Sequence, residues 1–517
     1  MKRILLILIF LLNVSADVVF DGFVKDEEWA GAEYYDLPFE IEPSYNTAAE
    51  HKTDVFIKHD ESNLYVAFRA FGNKDYIRAN IRSRDGINWL DDHVAVGIDT
   101  YGDGRYYIRF ASNPLGSIGD NKVDSSDNFD GSYNVEFDAK AHLTDYGYEV
   151  EFKIPFSSLN FPALKEQKWT LMLSRKLYNK GTEARYMNYK KIDGAGCIIC
   201  QSDEYYTLKD IKKKNKKRLI PSFTANSITE RNIDGNMNEE PIDSEFTLGG
   251  EYEFDGNNFE FTLNPDFSQV EADQSKIDVN QTTALRFEER RIFFNEGKDF
   301  LSSDLAAVYT RSINDPEYAL KLYNRGEKHS YYFLDAEDNA TPIIVPGYQR
   351  SYSGLLGKSH ANIFSYNYNL ENGQNIGFLA TNRDYEDGGK NSLYSFRGKF
   401  LFNDIYSTKF ELVSTTMDEP ISDVINTSNV SKEHTYNLDG ESFDGYGGVF
   451  GLARDTENFY TRYYFATKSP NYRSDLGFTT ENDWTKHSFE QKFKYRSKGL
   501  IRSGNISLRK EIMTDYD

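Results

Sequence analysis

From Leu219 onward the chain repeats one pattern, with aromatic or aliphatic side chains at every second position and polar ones between. Tyr252, Phe254, Phe259, Phe261 and Leu263 share one face of a hairpin, and Glu251, Glu253, Glu260 and Thr262 share the other. Its turn, Asp255-Gly256, is a strong hairpin signal. Tyr394, Phe396, Phe400 and Phe402 alternate with Ser395, Arg397 and Lys399, and Phe489, Phe493 and Tyr495 alternate with Glu490, Lys492, Lys494 and Arg496. Period two means antiparallel strands with two unlike faces. Apolar side chains outward and polar ones inward suit a membrane barrel, because lipid offers backbone groups no partner and only a closed sheet satisfies them all. The same alternation also fits a soluble sheet whose polar face meets water.

The 37 Tyr and 37 Phe against 4 Trp and 13 Pro favour pleated, half-buried surfaces. A net charge of −21 argues against general nucleic-acid binding, because an acidic surface repels phosphate. It suits an exported protein that binds sugars or divalent cations, and it also serves simple solubility. Lys2-Arg3, the apolar run Ile4 to Leu12 and Val14-Ser15-Ala16 read as a secretory signal over residues 1–16. That run is too short to span a bilayer, which needs roughly 20 apolar residues.

Residues 17–211 read as short strands. Asp54–His59 and Asn63–Arg69 form a hairpin, and Val94–Asp99 is a continuous apolar run suited to a buried strand. Strands at this spacing predict a β-sandwich. The basic run 212–218 marks a linker, or a contact with anionic lipid headgroups, before the long strands of 219–517. The fold expected is all-β: a jelly-roll-like N-terminal sandwich and a C-terminal antiparallel transmembrane barrel. Cys197 and Cys200 lack the further ligands a zinc site needs, so an exported chain is expected to join them in a local disulfide.

Three segments carry a resemblance. Asp21-Gly22 with Trp29, then Trp89-Leu90-Asp91-Asp92-His93-Val94-Ala95-Val96-Gly97-Ile98-Asp99, then Tyr148-Glu149-Val150-Glu151-Phe152-Lys153-Ile154-Pro155 resemble, in order, motifs of family 9 carbohydrate-binding modules. The stretch Asn264-Pro265-Asp266-Phe267-Ser268-Gln269-Val270-Glu271-Ala272-Asp273-Gln274, with Arg473-Ser474-Asp475-Leu476-Gly477-Phe478, resembles the uncharacterised barrel region that accompanies such modules in Gram-negative proteins. The chain ends after an alternating segment, without the terminal Phe or Trp usual in such barrels, so the barrel is expected to lack its last strands.

The resemblance implies an outer-membrane protein whose sandwich, periplasmic or at the surface, binds a carbohydrate or another polar ligand. It places Trp89 as a ring that stacks on a sugar and Arg109 as a donor to its hydroxyls; Asp92 is a further ligand candidate. Ala95 stands where the family has Glu, and Cys197-Ile198-Ile199-Cys200 where a second Trp is expected. Arg109 could instead pair with Asp91 or Asp92. Those aspartates could hold calcium or stand in a solvated turn. The turn after Asp99 reads as a hairpin, and Trp29 as core.

Such proteins are often labelled hydrolases, yet the chain has no G-x-S-x-G, H-E-x-x-H or phosphate-loop motif. Glu288, Glu289 and Glu296 beside Arg290 and Arg291 suggest an ion-pair network plugging the barrel lumen. The alternatives are a secreted glycoside hydrolase with an accessory module, and a purely structural plug.

Overall fold

The computed structural model describes residues 18–516 apart from 88–90, 125–127, 132, 163, 180–181, 193–196, 210, 212–216, 228, 232–236, 240–242, 255, 266–282, 288, 290, 327, 371, 404, 433 and 497–502. The signal segment, Trp89, Glu288, Arg290 and most of the Asn264–Gln274 stretch therefore lie outside the described residues.

Two antiparallel sheets face each other in the first 209 residues. One has five strands in the order Glu33–Asp36, Thr53–His59, Asn63–Phe71, Gly147–Pro155 and Asp138–Thr144. The other has nine. Eight run in the order Thr47–Ala48, Phe39–Glu42, Thr182–Met187, Glu166–Asn179, His93–Asp99, Tyr106–Ser112, Ile118–Asp124 and Phe129–Asp130, and Tyr205–Lys209 pairs beside Glu166–Asn179. The core lies between them: Val55, Val66, Phe68, Val150 and Phe152 meet Val94, Val96, Ile98, Phe110, Leu171 and Leu173. Alternate positions of each strand supply these residues, so the expected sandwich follows from period two.

The motif residues hold this sandwich together. Glu151 accepts from the backbone N–H of Asp21 (3.1 Å) and Gly22 (2.8 Å) and from Trp29 Nε1 (3.1 Å). Gly22 has φ +93°, a conformation costly for other residues. Trp29 is core, as expected. The Asp99 carboxylate accepts from the N–H groups of Tyr101, Gly102 and Gly104, which makes the loop a hairpin turn. Cys197 and Cys200 are disulfide-bonded, and their loop packs so tightly on this turn that a Cβ on Gly104 would lie 2.3 Å from Cys200 Sγ.

The second part is one antiparallel meander of thirteen strands among the described residues. They are Lys217–Asn226, Asp243–Phe254, Asn257–Leu263, Pro316–Arg325, His329–Asp338, Ser359–Asn369, Asn375–Tyr385, Lys390–Phe402, Tyr406–Asp418, Ser442–Asp455, Phe459–Lys468, Trp484–Arg496 and Ser503–Thr514. The first begins at Lys217, so the end of the expected linker is already strand. The two outermost strands each have a single partner, and the sheet is open rather than closed. Short hairpins extend from some of its connections.

Connections are short on one rim and, with the exception of 386–389, longer on the other. On one rim they are 255–256, 326–328, 370–374, 403–405, 456–458 and 497–502; on the other they are 227–242, 264–315, 339–358, 386–389, 419–441 and 469–483. The short-turn rim meets the sandwich: Gly373 donates its N–H to the Asp103 carbonyl (3.0 Å), and Arg105 Nη1 donates to Ser330 Oγ (2.6 Å).

The alternation reads as predicted. Tyr394, Phe396, Leu412, Tyr446 and Phe493 are exposed, while Lys321, Ser365, Arg383, Ser395 and Glu411 between such positions are buried. What buries them is the long connection 264–315, whose described part lies against the polar face. Glu411 accepts from Ser303 Oγ (2.7 Å) and the N–H of Asp304 (2.8 Å). Arg383 donates to the Ser312 carbonyl (2.9 Å), and Arg397 to that of Phe300 (2.7 Å). Phe294, Phe300, Leu305 and Ile313 fill the gaps with apolar side chains of the strands.

Of the expected ion-pair network, the described residues show one pair. Glu289 and Arg291 form a buried pair at 2.6 Å, whereas Glu296 accepts from Asn160 of the sandwich (3.0 Å) and from the Tyr323 hydroxyl (3.2 Å). In the Arg473–Phe478 segment, Arg473 binds Glu419 (2.5 Å) and Asp475 (2.9 Å), and the Leu476 carbonyl accepts from the Tyr309 N–H (2.7 Å).

Candidate functional site

The outer face of the nine-stranded sheet carries a cavity of about 100 Å³. Strand parity selects its floor: Met172, Ser174 and Lys176 alternate with the core residues Leu171 and Leu173, and Tyr107 and Arg109 alternate with Ile108 and Phe110. Arg185 and Met187 come from Thr182–Met187, and Ile198 and Gln201 of the disulfide loop form a wall. Gly97 keeps the floor tight, since a Cβ there would lie 2.9 Å from both Met172 and Tyr107. A second cavity of about 200 Å³, lined by Asp85, Asp120 and Asn121, shares His93, Arg109 and Phe129 with the first.

Arg109 is therefore central to both spaces. It pairs with neither Asp91 nor Asp92. Its Nη2 donates to His93 Nε2 at 2.9 Å. His93 Nδ1 lies 3.1 Å from the Asp91 carbonyl, which fixes the tautomer: Nδ1 carries the proton and Nε2 accepts. Burial first, and then the Arg109 charge, push the His93 pKa down to about 3, so the imidazole stays neutral. Burial lowers that of Arg109 to about 10, which leaves it charged at neutral pH.

Asp92 does not join this site. It shares the parity of Val94 and Val96 and so points toward the core side, where it accepts from the Tyr178 N–H (2.9 Å). Burial raises its pKa to about 7 against the pull of that bond and of Arg175. Asp91 is also buried, held by Arg82 (3.1 Å) and Asn80 (3.1 Å). Neither aspartate stands in a solvated turn, and among the described residues neither joins a group of three ligands that could share a cation. Among the described residues, Glu419, Asp439 and Glu441 bring carboxylate oxygens within 4.8 Å of one another, but Glu419 already pairs with Arg473 and Glu441 with His434 (3.0 Å).

Sequence reasoning found Arg109 and missed Tyr107, Lys176, Arg185 and Lys191. Parity was the available signal, because Met172, Ser174 and Lys176 form the non-core half of an otherwise apolar strand. A larger, polar chamber of about 1170 Å³ lies where the sandwich meets the short-turn rim, with Asn160, Gln167, Asn258, Asn324 and Gln374 in its wall.

No protein-family model matches the chain, and no curated protein matches it. Among solved structures, a candidate carbohydrate-binding protein from Bacteroides uniformis ATCC 8492 is similar over 31% of this chain and 77% of its own, at 14% identity and a TM-score of 0.25. A family 9 carbohydrate-binding module from Caldicellulosiruptor kristjanssonii, solved in complex with glucose, is similar over 38% of this chain and 93% of its own, at 16% identity and a TM-score of 0.26.

Proposed function

We propose that the chain is an outer-membrane protein in which the large sheet forms the wall of a barrel and the sandwich captures a glycan or other polar ligand on the periplasmic side. The observation that carries the membrane reading is the exposed row of rings and aliphatic side chains on one face of the sheet, opposite a polar face covered by the chain's own connecting segment. A soluble sheet would turn its polar face to water, and so extended an apolar surface marks contact with lipid or a partner. The open edges carry unpaired backbone groups that a closed barrel would pair. Outer-membrane barrels have short periplasmic turns and longer extracellular loops. Contact of the sandwich with the short-turn rim favours a periplasmic sandwich, and the signal-like N-terminus favours export.

Fractionated cell envelopes test this reading. The full-length protein should pellet with the outer membrane and need detergent for release; recovery in the aqueous supernatant without detergent ends the proposal. Protease added to intact cells should cut within the long connection 419–441 and spare the sandwich. Cleavage inside the sandwich would reverse the orientation.

A second reading, in which the sandwich is a structural clamp on the lumen-filling segment, is favoured by one cluster. Asp299 of that segment binds Arg325 of the sheet (2.5 Å) and Lys122 of the sandwich (2.6 Å). Under that reading Lys122→Ala loosens the segment, and no ligand occupies the Arg109 cavity.

A further inference from the structure

The Arg109 cavity is cationic in an acidic protein. Arg109, Arg175, Lys176, Arg185 and Lys191 line it, with no Asp or Glu among the described residues of its wall, although the chain carries a net charge of −21. Two of these cations have acids beside the cavity: Lys176 pairs with Glu183 at 3.0 Å, and Arg185 lies 3.7 Å from Glu42. Arg109 pairs with no carboxylate among the described residues. Among the described residues its hydrogen-bond partner is the neutral His93 ring, which accepts a hydrogen bond but offsets no charge. A partly buried guanidinium without a counter-ion is costly, and a planar carboxylate is the group it matches best.

Apart from His93, Ser174 and Gln201, the rest of the cavity is lined by apolar and aromatic side chains. Tyr107, Met172 and Met187 lie in the floor and walls, and Phe129, more than half exposed, stands at the boundary between the two spaces. Ring C–H faces stack on such surfaces, whereas a bare inorganic anion gains nothing from them. The second space adds Asn121 and Asp120, groups that hydrogen-bond hydroxyls. Asp120 itself is held by Arg84 (2.6 Å) and the Val135 N–H (2.6 Å).

We infer that this cavity takes an acidic sugar, a uronic acid residue whose carboxylate meets Arg109 while its ring lies against Phe129 and its hydroxyls reach the Asn121 side. This rests on the glycan reading above and names the class of glycan.

Titration calorimetry on the full chain in detergent provides the test, with galacturonate oligomers, their methyl esters, neutral galactose oligomers and sulfated galactose oligomers as probes. The free acid should bind at least tenfold more tightly than its methyl ester or the neutral oligomer, and its affinity should fall as salt rises. Arg109→Gln should remove that preference, and Lys191→Ala, at the cavity mouth, should weaken it with the fold unaffected. Equal binding of acid, ester and neutral sugar overturns the acidic-sugar inference and leaves the glycan reading standing. Binding of the sulfated oligomer alone also overturns it. If none of the four binds, the glycan reading itself fails along with it.

Discussion

The sandwich and the large sheet are built from the same alternation, worn in opposite senses. In the sandwich the apolar half of each strand faces a second sheet, as Val94, Val96 and Ile98 do against Val66 and Phe68. In the large sheet the apolar half faces outward, and the polar half grips the backbone of a connecting segment. Period two therefore identifies a strand but not its solvent. What decides the sense is whether the polar face finds partners. Glu411 and Arg383 find them in carbonyls, N–H groups and hydroxyls of the folded-in segment, while the rings of the same strands face outward.

Three substitutions break or sharpen this contrast. The largest effect is expected at Arg473, buried between Glu419 and Asp475. Arg473→Ala strands two buried carboxylates and should destabilise the large sheet by about 3–5 kcal/mol, while the sandwich melts as before. Separate unfolding transitions in detergent would show it, and equal loss in both regions would mean the two do not differ as described.

Next comes a matched pair. Leu412→Arg, at the middle of an outward face, should impair membrane assembly by about 2–4 kcal/mol. Leu143→Arg, on an exposed position of the sandwich, should cost under about 0.5 kcal/mol. Similar penalties at both sites would remove the case for lipid around the sheet.

The last effect is read against pH and concerns Asp92, whose folded pKa lies above its unfolded value of 3.8, at about 7. Its contribution is then fully present below about pH 4 and is lost as pH rises through 7. Asp92→Asn should flatten the fall of sandwich stability between about pH 4 and 7 and leave the sheet unchanged. A mutant whose melting temperature follows pH as steeply as the parent would refute the buried placement.

Much of the fold was legible. The hairpin expected at Asp54–His59 and Asn63–Arg69 is present as Thr53–His59 with Asn63–Phe71, and every residue of His93–Asp99 is buried. The facing pairs Tyr252 with Phe259 and Glu251 with Glu260 lie in register as the turn at 255–256 requires. Sheet closure was not legible, because it depends on which edges meet and not on any strand's own pattern. The site was half legible. Arg109 was named from a resemblance, yet Asp92 was grouped with it although Asp92 and Val94 share a parity and Val94 reads as core. The cations at Lys176, Arg185 and Lys191 come from separate strands and a loop, and only the register of the sheet brings them together.

The Asp299 carboxylate also has a mechanical consequence. A single side chain receives a guanidinium from one half of the molecule and an ammonium from the other, so neither half can shift away without stripping a charge that the other still holds. The folded-in segment is pinned from two sides by one rivet, and any displacement of it on that side must begin by drawing it.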